Sequence, residues 1–141
     1  MAHILIPVDG SDNALRAVDY AIAHRAAFEP LRITLLNVQI PIVSGTVRLF
    51  IDRASIDNYY AEEGETALKP ARERVEQAGV SFIQEVNVGH VAESIAKYAA
   101  QHQCDHIIIG SRGMGSTSNW LLGSITTKVL HLADVPVTVV K

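Results

Sequence analysis

The chain has 141 residues, of which 48% are hydrophobic and 19% charged, and its formal net charge is −3. This balance is typical of a folded globular protein and excludes a disordered chain. The length predicts a single domain over residues 1–141. The slight negative charge argues against nucleic acid as the main partner, because phosphate binding requires clustered Lys and Arg.

The sequence carries no signal for export or membrane insertion. No apolar run approaches the roughly 20 residues of a membrane-spanning helix. The opening MAHILIPVDG has neither a basic region nor a small-residue cleavage site. Cys104 is the sole cysteine, so an internal disulfide is excluded. We therefore expect a cytoplasmic protein without a membrane partner.

Strand-like patterns recur along the whole chain. The predicted strands are 3–8, 33–38, 80–88, 106–109 and 135–140. The third of them mostly alternates apolar and polar residues, which predicts a half-exposed strand nearer a sheet edge. The fourth, by contrast, is a short apolar run.

Helical patterns separate these strands. Ser11 is predicted to cap the first helix. The second runs from about Ile51 to Ala78, ends at Gly79, and must be kinked or split at Pro70. Apolar positions mark the first, third and fourth helices: Leu15, Val18, Ile22 and Ala26; Ala92, Ile95, Ala96 and Ala99; Ile125, Val129 and Leu132. Five strands alternating with four helices predict an α/β fold, with a parallel sheet covered on both faces.

A glycine-rich and serine-rich stretch, GSRGMGSTSNWLLGS at 110–124, joins the fourth strand to the last helix. Such connections usually have about 2–6 residues. Glycines let backbone N–H groups approach an anion, and a helix start attracts phosphate. Ser124 and Arg112 add side-chain donors. The stretch therefore predicts a polyphosphate site, with an unconstrained surface excursion as the alternative.

Two familiar nucleotide motifs fail here. A P-loop needs lysine where Ser116 follows Gly115, and the dinucleotide fingerprint lacks its third glycine. The spacing that fits is G-x-x-G, nine residues, then G-[ST], at Gly110, Gly113, Gly123 and Ser124. Together with PVDGS at 7–11 and PVTVV at 136–140, this spacing resembles the universal stress protein family, in its ATP-binding branch. The resemblance covers the whole chain.

The resemblance implies a three-layer sandwich of the adenine nucleotide alpha hydrolase-like kind, with a five-stranded parallel sheet in order 3-2-1-4-5. It implies ATP, or AMP or ADP, with Mg²⁺ at the carboxyl ends of strands 1 and 4. Ligands of open α/β sheets bind where the strand order reverses, which agrees with that position. The implied nucleotide-binding residues are Pro7, Val8, Asp9, Val38, Gly110, Arg112, Gly113, Gly123, Ser124 and Ile125.

The resemblance also implies a role for each part of this site. Asp9 would lie near the ribose or a phosphate-bound Mg²⁺, with a turn or capping role as the alternative. Val38 would face adenine through its backbone, and Gly110 would approach the ribose. The remaining loop and helix residues would meet the phosphates. The polar segment 116–119 departs from the family pattern, and either adds donors or solvates the loop.

The last strand, VPVTVV, predicts an association with a second copy of the chain. An apolar sheet edge is rarely left bare, and antiparallel pairing in a two-fold homodimer would cover it. Val135, Val137 and Val139 would lie in that interface, and the family resemblance implies the same arrangement. The alternative is that the chain's own loop or helix covers the edge.

Three functions remain open from the sequence. The first is an ATP-binding stress-response or regulatory protein. The second is a slow ATP-hydrolysing or nucleotide-transferring enzyme, for which no catalytic residue can be assigned. The third is a nucleotide-free interaction module. A metal site at His102, Cys104 and His106 is disfavoured, because the segment crosses from a helix end into a strand and Cys104 is more often a buried hydrophobe.

Overall fold

The computed structural model describes residues 2–42, 51–112 and 122–141. The strands are β1 (Ala2–Pro7), β2 (Leu31–Gln39), β3 (Ser81–Val88), β4 (His106–Gly110) and β5 (Val137–Val140). The α-helices are α1 (Asp12–Ala23), α2 (Arg53–Ala78), α3 (Val91–Gln101) and α4 (Ser124–Leu132), and a 3-10 helix covers Arg25–Phe28. The predicted order of strands and helices is confirmed, with element ends shifted mostly by one or two residues.

The five strands form one sheet in the order β3-β2-β1-β4-β5, and every neighbouring pair is parallel. The strand order implied by the resemblance is therefore confirmed. The strand order reverses between β1 and β4. β3 forms one edge of the sheet, as its alternating pattern predicts, and β5 forms the other.

Helices cover both faces of the sheet, and the side-chain alternation of the strands decides which core each residue joins. Ile4 and Ile6 belong to a core with α1 and α2. Leu5, which lies between them, belongs to a second core with α3 and α4. The three-layer α/β sandwich is thus confirmed. None of the helices within the described ranges is long and apolar enough to cross a membrane.

The helix ends follow local chemistry. Ser11 caps α1, because its Oγ accepts a 3.2 Å hydrogen bond from the N–H of Ala14. Gly79 ends α2 with a φ of 69°, a left-handed conformation that glycine adopts at low cost. The alternative in which Pro70 splits α2 is wrong. One helix runs through it, because Leu68 and Ala71 on either side are both fully buried against the sheet.

Two predicted helix faces need correction. Ala26 lies in the exposed 3-10 segment, since α1 already ends at Ala23. In α4 the buried residues are Thr126 and Val129, whereas Ile125 is 38% exposed and Leu132 is 41% exposed. The helix is turned so that Val129 joins the core and the Thr126 hydroxyl reaches a carbonyl of β4.

Candidate functional site

The turn between β1 and α1 lies at the carboxyl edge of the sheet. Gly10 has a φ of 87°, which a side chain would strain, and this allows the chain to reverse directly after Asp9. The N–H of Ser11 donates a 2.9 Å hydrogen bond to Oδ1 of Asp9. Asp9 therefore shapes the turn, in keeping with its alternative role, while its exposed carboxylate stands at the edge where the site is expected.

Gly110, the last residue of β4, lies between the first turns of two helices. A Cβ added to it would lie 2.8 Å from the backbone carbon and oxygen of Asn13 in α1. Its carbonyl accepts a 2.8 Å hydrogen bond from the Thr126 hydroxyl in α4. The starts of α1 and α4 therefore converge at the end of β4, next to the turn that carries Asp9.

The glycine-rich stretch is closed at its base by backbone hydrogen bonds. The N–H of Gly123 donates to the carbonyl of Ser111 at 2.8 Å, and the N–H of Ser111 donates to the carbonyl of Val140 at 2.8 Å. Arg112, which follows Ser111, is half-buried. These bonds bring both ends of the predicted phosphate loop together beside β5. Gly113 and the segment 116–119 lie outside the described residues.

The first turn of α4 is suited to an anion. Gly123 is its N-cap and has no side chain, so no side-chain capping bond is formed there. Ser124 and Ile125, which follow, are exposed. Amides at a helix start lack intrahelical partners and carry the positive end of the helix dipole. This arrangement can bind a phosphate group through backbone N–H groups together with the Ser124 hydroxyl.

Val8 lies beneath the site and is almost completely buried. It is only 2% exposed, and its N–H donates to the carbonyl of Leu36 at 2.8 Å. Its carbonyl accepts a 2.8 Å hydrogen bond from Nδ2 of Asn37. Pro7, the preceding residue, is half-buried. The structure therefore assigns Val8 to the packing beneath the site.

Val38 directs its backbone towards the end of β1. The carbonyl of Leu36 bonds to Val8 on the β1 side, and the carbonyl of Gln39 bonds to the N–H of Gly89 on the β3 side. Backbone groups of successive strand residues alternate between the two sides. The N–H and C=O of Val38 therefore point to the β1 side, just beyond the last residue of that strand. Its side chain packs against the core under α3.

The three residues of the disfavoured metal site have different surroundings. Burial raises the pKa of the Cys104 thiol to about 11, and its Sγ lies 3.8 Å from both ring nitrogens of His3. His106 Nε2 lies 2.7 Å from Oγ1 of Thr138, and the His102 ring stacks on Tyr98. Across the described ranges, no cluster of three or more His, Cys, Asp or Glu residues is suited to a metal ion.

A cavity of about 520 Å³ lies at the amino ends of the strands, where β2 and β3 begin and α2 ends. This is the end of the sheet away from the predicted nucleotide site. Its lining residues are Arg25, Glu29, Pro30, Leu31, Ala78, Gly79, Val80 and Ser81. The guanidinium of Arg25 donates to the carbonyl of Ala78 at 3.2 Å, which satisfies one carbonyl at the end of α2. None of the predicted nucleotide-binding residues lines this cavity.

Three residues that organise the site escaped the sequence analysis: Ser111, Thr126 and Asn37. Thr126 is 2% exposed and Asn37 is 3% exposed, so both are buried polar residues within apolar elements. The sequence does carry a signal for Asn37, because this polar residue interrupts the apolar run ITLLNV at 33–38. Buried polar groups are almost always hydrogen-bonded, so such positions point to a specific partner.

Comparison with known proteins gives a consistent result. The model of the universal stress protein family matches residues 1–141. Universal stress protein MJ0531 of Methanocaldococcus jannaschii is 33% identical over 140 residues, covering 98% of this chain and 81% of the relative. Universal stress protein YxiE of Bacillus subtilis is 31% identical over 147 residues, covering 98% and 97% respectively.

Solved structures share the fold. Universal stress protein UspA from Lactobacillus plantarum superposes with a TM-score of 0.83 at 26% identity, covering 99% of this chain and 97% of that one. An Arabidopsis thaliana family protein with AMP bound gives 0.71 at 17% identity, covering 100% and 92%. A universal stress protein in complex with cAMP gives 0.74 at 23% identity, covering 99% and 97%. The last two are too distant in sequence to show more than a common fold. With the fold, the order of its elements and the match over the whole length in agreement, this chain belongs to the universal stress protein family.

Proposed function

We propose that this protein binds an adenine nucleotide, ATP or the related AMP or ADP, at the sheet edge where β1 and β4 end. The observation that carries the proposal is the position of Gly110, in contact with α1 through Asn13 and with α4 through Thr126. Two helix starts and the Asp9 turn meet there, where the strand order reverses. The AMP and cAMP complexes of two proteins with the same fold support this choice of ligand.

In this proposal the phosphates bind at the start of α4. The N–H groups of Ser124 and Ile125 provide donors, while the N–H of Gly123, bonded to the carbonyl of Ser111, holds the helix start in place. Arg112, which is half-buried, completes the phosphate contacts together with Gly113. The ribose lies near Gly110, whose missing side chain lets the first turn of α1 pack closely against the end of β4. These groups are neutral donors and one guanidinium, so the binding does not require a P-loop lysine.

The base binds on the other side of the same edge. Pro7 and the buried Val8 form an apolar wall beneath it. Val38 presents an N–H donor and a C=O acceptor to the β1 side, which complements the ring nitrogen N1 and the 6-amino group of adenine. Guanine carries a donor and an acceptor in the opposite order at these positions, so this backbone pair favours adenine.

A magnesium ion would bind together with the nucleotide. Mg²⁺ prefers oxygen ligands and is usually held by one or two carboxylates plus substrate phosphates. The exposed carboxylate of Asp9 fits that role, and Oδ1 is held in place by the N–H of Ser11. In this proposal Asp9 meets the ion, directly or through water, and the phosphate oxygens supply the remaining ligands.

We further propose that residues 1–141 form one cytoplasmic regulatory domain of the stress response that works as a homodimer. The β5 edge supports the dimer, because β5 is an outer strand of the sheet and its four residues are only half-buried. Val135, Val137 and Val139 would lie in the interface. Nucleotide at the neighbouring loop base would then alter the surface that the dimer offers to a partner.

The first experiment is to identify the small molecule carried by freshly purified protein. Mass spectrometry of the denatured protein should detect an adenine nucleotide. Adding Mg-ATP to protein stripped of ligand should raise its unfolding temperature, whereas Mg-GTP should have a much smaller effect. The proposal is overturned if no adenine nucleotide is extracted and Mg-ATP causes no thermal shift.

A further inference from the structure

We propose that Asn37 is a positioning residue for base recognition, which keeps the N–H of Val38 available to the adenine ring. The inference rests on the nucleotide-binding function proposed above and adds a residue that does not touch the ligand. Asn37 is 3% exposed. It therefore acts through the backbone of its neighbours on β1 and β2.

The β1–β2 ladder ends at Val8 and Leu36. The N–H of Val8 donates to the carbonyl of Leu36. One more step of a parallel ladder would place the carbonyl of Val8 opposite the N–H of Val38. At this step the carbonyl of Val8 receives Nδ2 of Asn37 at 2.8 Å. The side chain of Asn37 thus takes the place at this carbonyl that the N–H of Val38 would have in a continued ladder, and in the described part of the chain Val38 makes no backbone bond to Val8.

The orientation of the Asn37 amide follows from its partners. A backbone carbonyl is only an acceptor, so the group that faces Val8 must be the NH₂ of Asn37. Oδ1 of Asn37 then faces Gln39, whose Nε2 donates to it at 2.7 Å. The chain of bonds from Val8 through Asn37 to Gln39 allows one amide orientation at each step, and it fixes the end of β2 relative to the end of β1.

The consequence for binding concerns the base alone. With the Val8 carbonyl occupied, the Val38 N–H can donate to N1 of adenine while its C=O accepts from the 6-amino group. Phosphate binding at α4 uses none of these atoms. A change at Asn37 should therefore lower the affinity for adenine nucleotides and leave the affinity for inorganic tripolyphosphate unchanged.

The test replaces Asn37 with a residue of similar size that cannot donate, Asn37→Leu. The Val8 carbonyl then pairs with Val38, which extends the ladder by one step. In the ligand-free variant, amide hydrogen exchange at Val38 should slow relative to the unmodified protein. The Kd for Mg-ATP should rise about tenfold, as expected for one lost hydrogen bond, with the Kd for tripolyphosphate unchanged.

Thr34→Val is the matched control on the same strand. Thr34, three residues before Asn37 on β2, is also fully buried, and its Oγ1 lies 2.6 Å from Nε2 of His3. This variant should lower the unfolding temperature without changing exchange at Val38 or the ratio of the two Kd values. Gln39→Ala, which retains Asn37 but removes the bond that orients it, should raise the Kd for Mg-ATP about threefold. It serves as the second variant if Asn37→Leu folds poorly.

The outcomes separate this inference from the proposed function. If the unmodified protein binds Mg-ATP but Asn37→Leu leaves Val38 exchange unchanged, Asn37 does not position Val38. The inference also fails if Asn37→Leu weakens the binding of Mg-ATP and of tripolyphosphate equally. If the unmodified protein binds no adenine nucleotide, the proposed function is overturned, and base recognition through Val38 is overturned with it.

Discussion

The hydroxyl of Thr126 donates a 2.8 Å hydrogen bond to the carbonyl of Gly110, and this buried bond ties the start of α4 to the end of β4. The two residues are 16 positions apart in the chain. The bond agrees with the orientation of α4, in which Thr126 faces inwards and Ile125 faces outwards. The helix start that we propose to bind phosphate is thus held by a contact within the core.

Replacing Thr126 with valine should loosen that attachment. Thr126→Val keeps the size of the side chain and leaves the Gly110 carbonyl without its donor. We expect the free energy of unfolding to fall by about 1–2 kcal/mol and Mg-ATP to bind several-fold more weakly. Urea unfolding and titration calorimetry measure the two effects. Thr127→Val is the control, because that hydroxyl is exposed and donates to the carbonyl of Gly123, the N-cap of the same helix. Equal effects at both threonines would contradict the assigned role.

Gly110→Ala tests whether this glycine serves the fold as well as the ligand. The added Cβ would lie 2.8 Å from backbone atoms of Asn13, which cannot move independently of α1. We expect a loss of about 1–3 kcal/mol in urea unfolding without nucleotide. At Gly89 the corresponding contact is Oγ of Ser94 at 2.8 Å, the end of a side chain that can rotate away. Gly89→Ala should therefore lower the free energy of unfolding much less. If Gly110→Ala is fully stable without ligand, the glycine is required only for the nucleotide.

Asp9→Asn separates the charge of Asp9 from its role in the turn. Asparagine retains Oδ1, so the bond from the Ser11 N–H survives. With Mg²⁺ present, the Kd for ATP should rise about threefold to tenfold, a loss of roughly 0.7–1.4 kcal/mol, because a ligand of the ion is weakened. With EDTA the Kd should fall or stay the same, because a negative charge near the triphosphate is removed. Asp12→Asn, an exposed carboxylate in the first turn of α1, controls for net charge. A Mg²⁺-independent effect would exclude the metal role.

The fold was predictable because its determinants are local. Apolar runs, the Ser11 cap and the Gly79 stop each reflect a few adjacent residues, and strict alternation of strands and helices leaves little choice but a parallel sheet. The strand order came from the family resemblance, since the patterns do not determine which strands are neighbours. The motifs at both ends of the chain carried that resemblance.

The organisation of the site was harder to predict, because it depends on contacts between distant residues. Asn37 and Val8 are 29 positions apart, and the sequence of neither segment indicates that the two are in contact. The buried face of α4 was predicted wrongly for the same reason. Periodicity favoured Ile125 and Leu132, whereas in the structure Thr126 faces inwards and bonds to Gly110 of β4.

The dimer prediction can be tested at a single backbone position on β5. The carbonyls of Pro136 and Val140 bond to β4, so by alternation the N–H of Val139 points outwards from the sheet. Val139→Pro removes this outward donor and leaves the β4 ladder intact, which is the position where an edge strand tolerates proline. We expect the unmodified protein to be a dimer in size-exclusion chromatography with light scattering, and the variant to be a folded monomer. Val88→Pro is the control, because Val88 lies on the opposite edge with its N–H also pointing outwards. A Val139→Pro protein that remains dimeric would show that the copies associate through another surface.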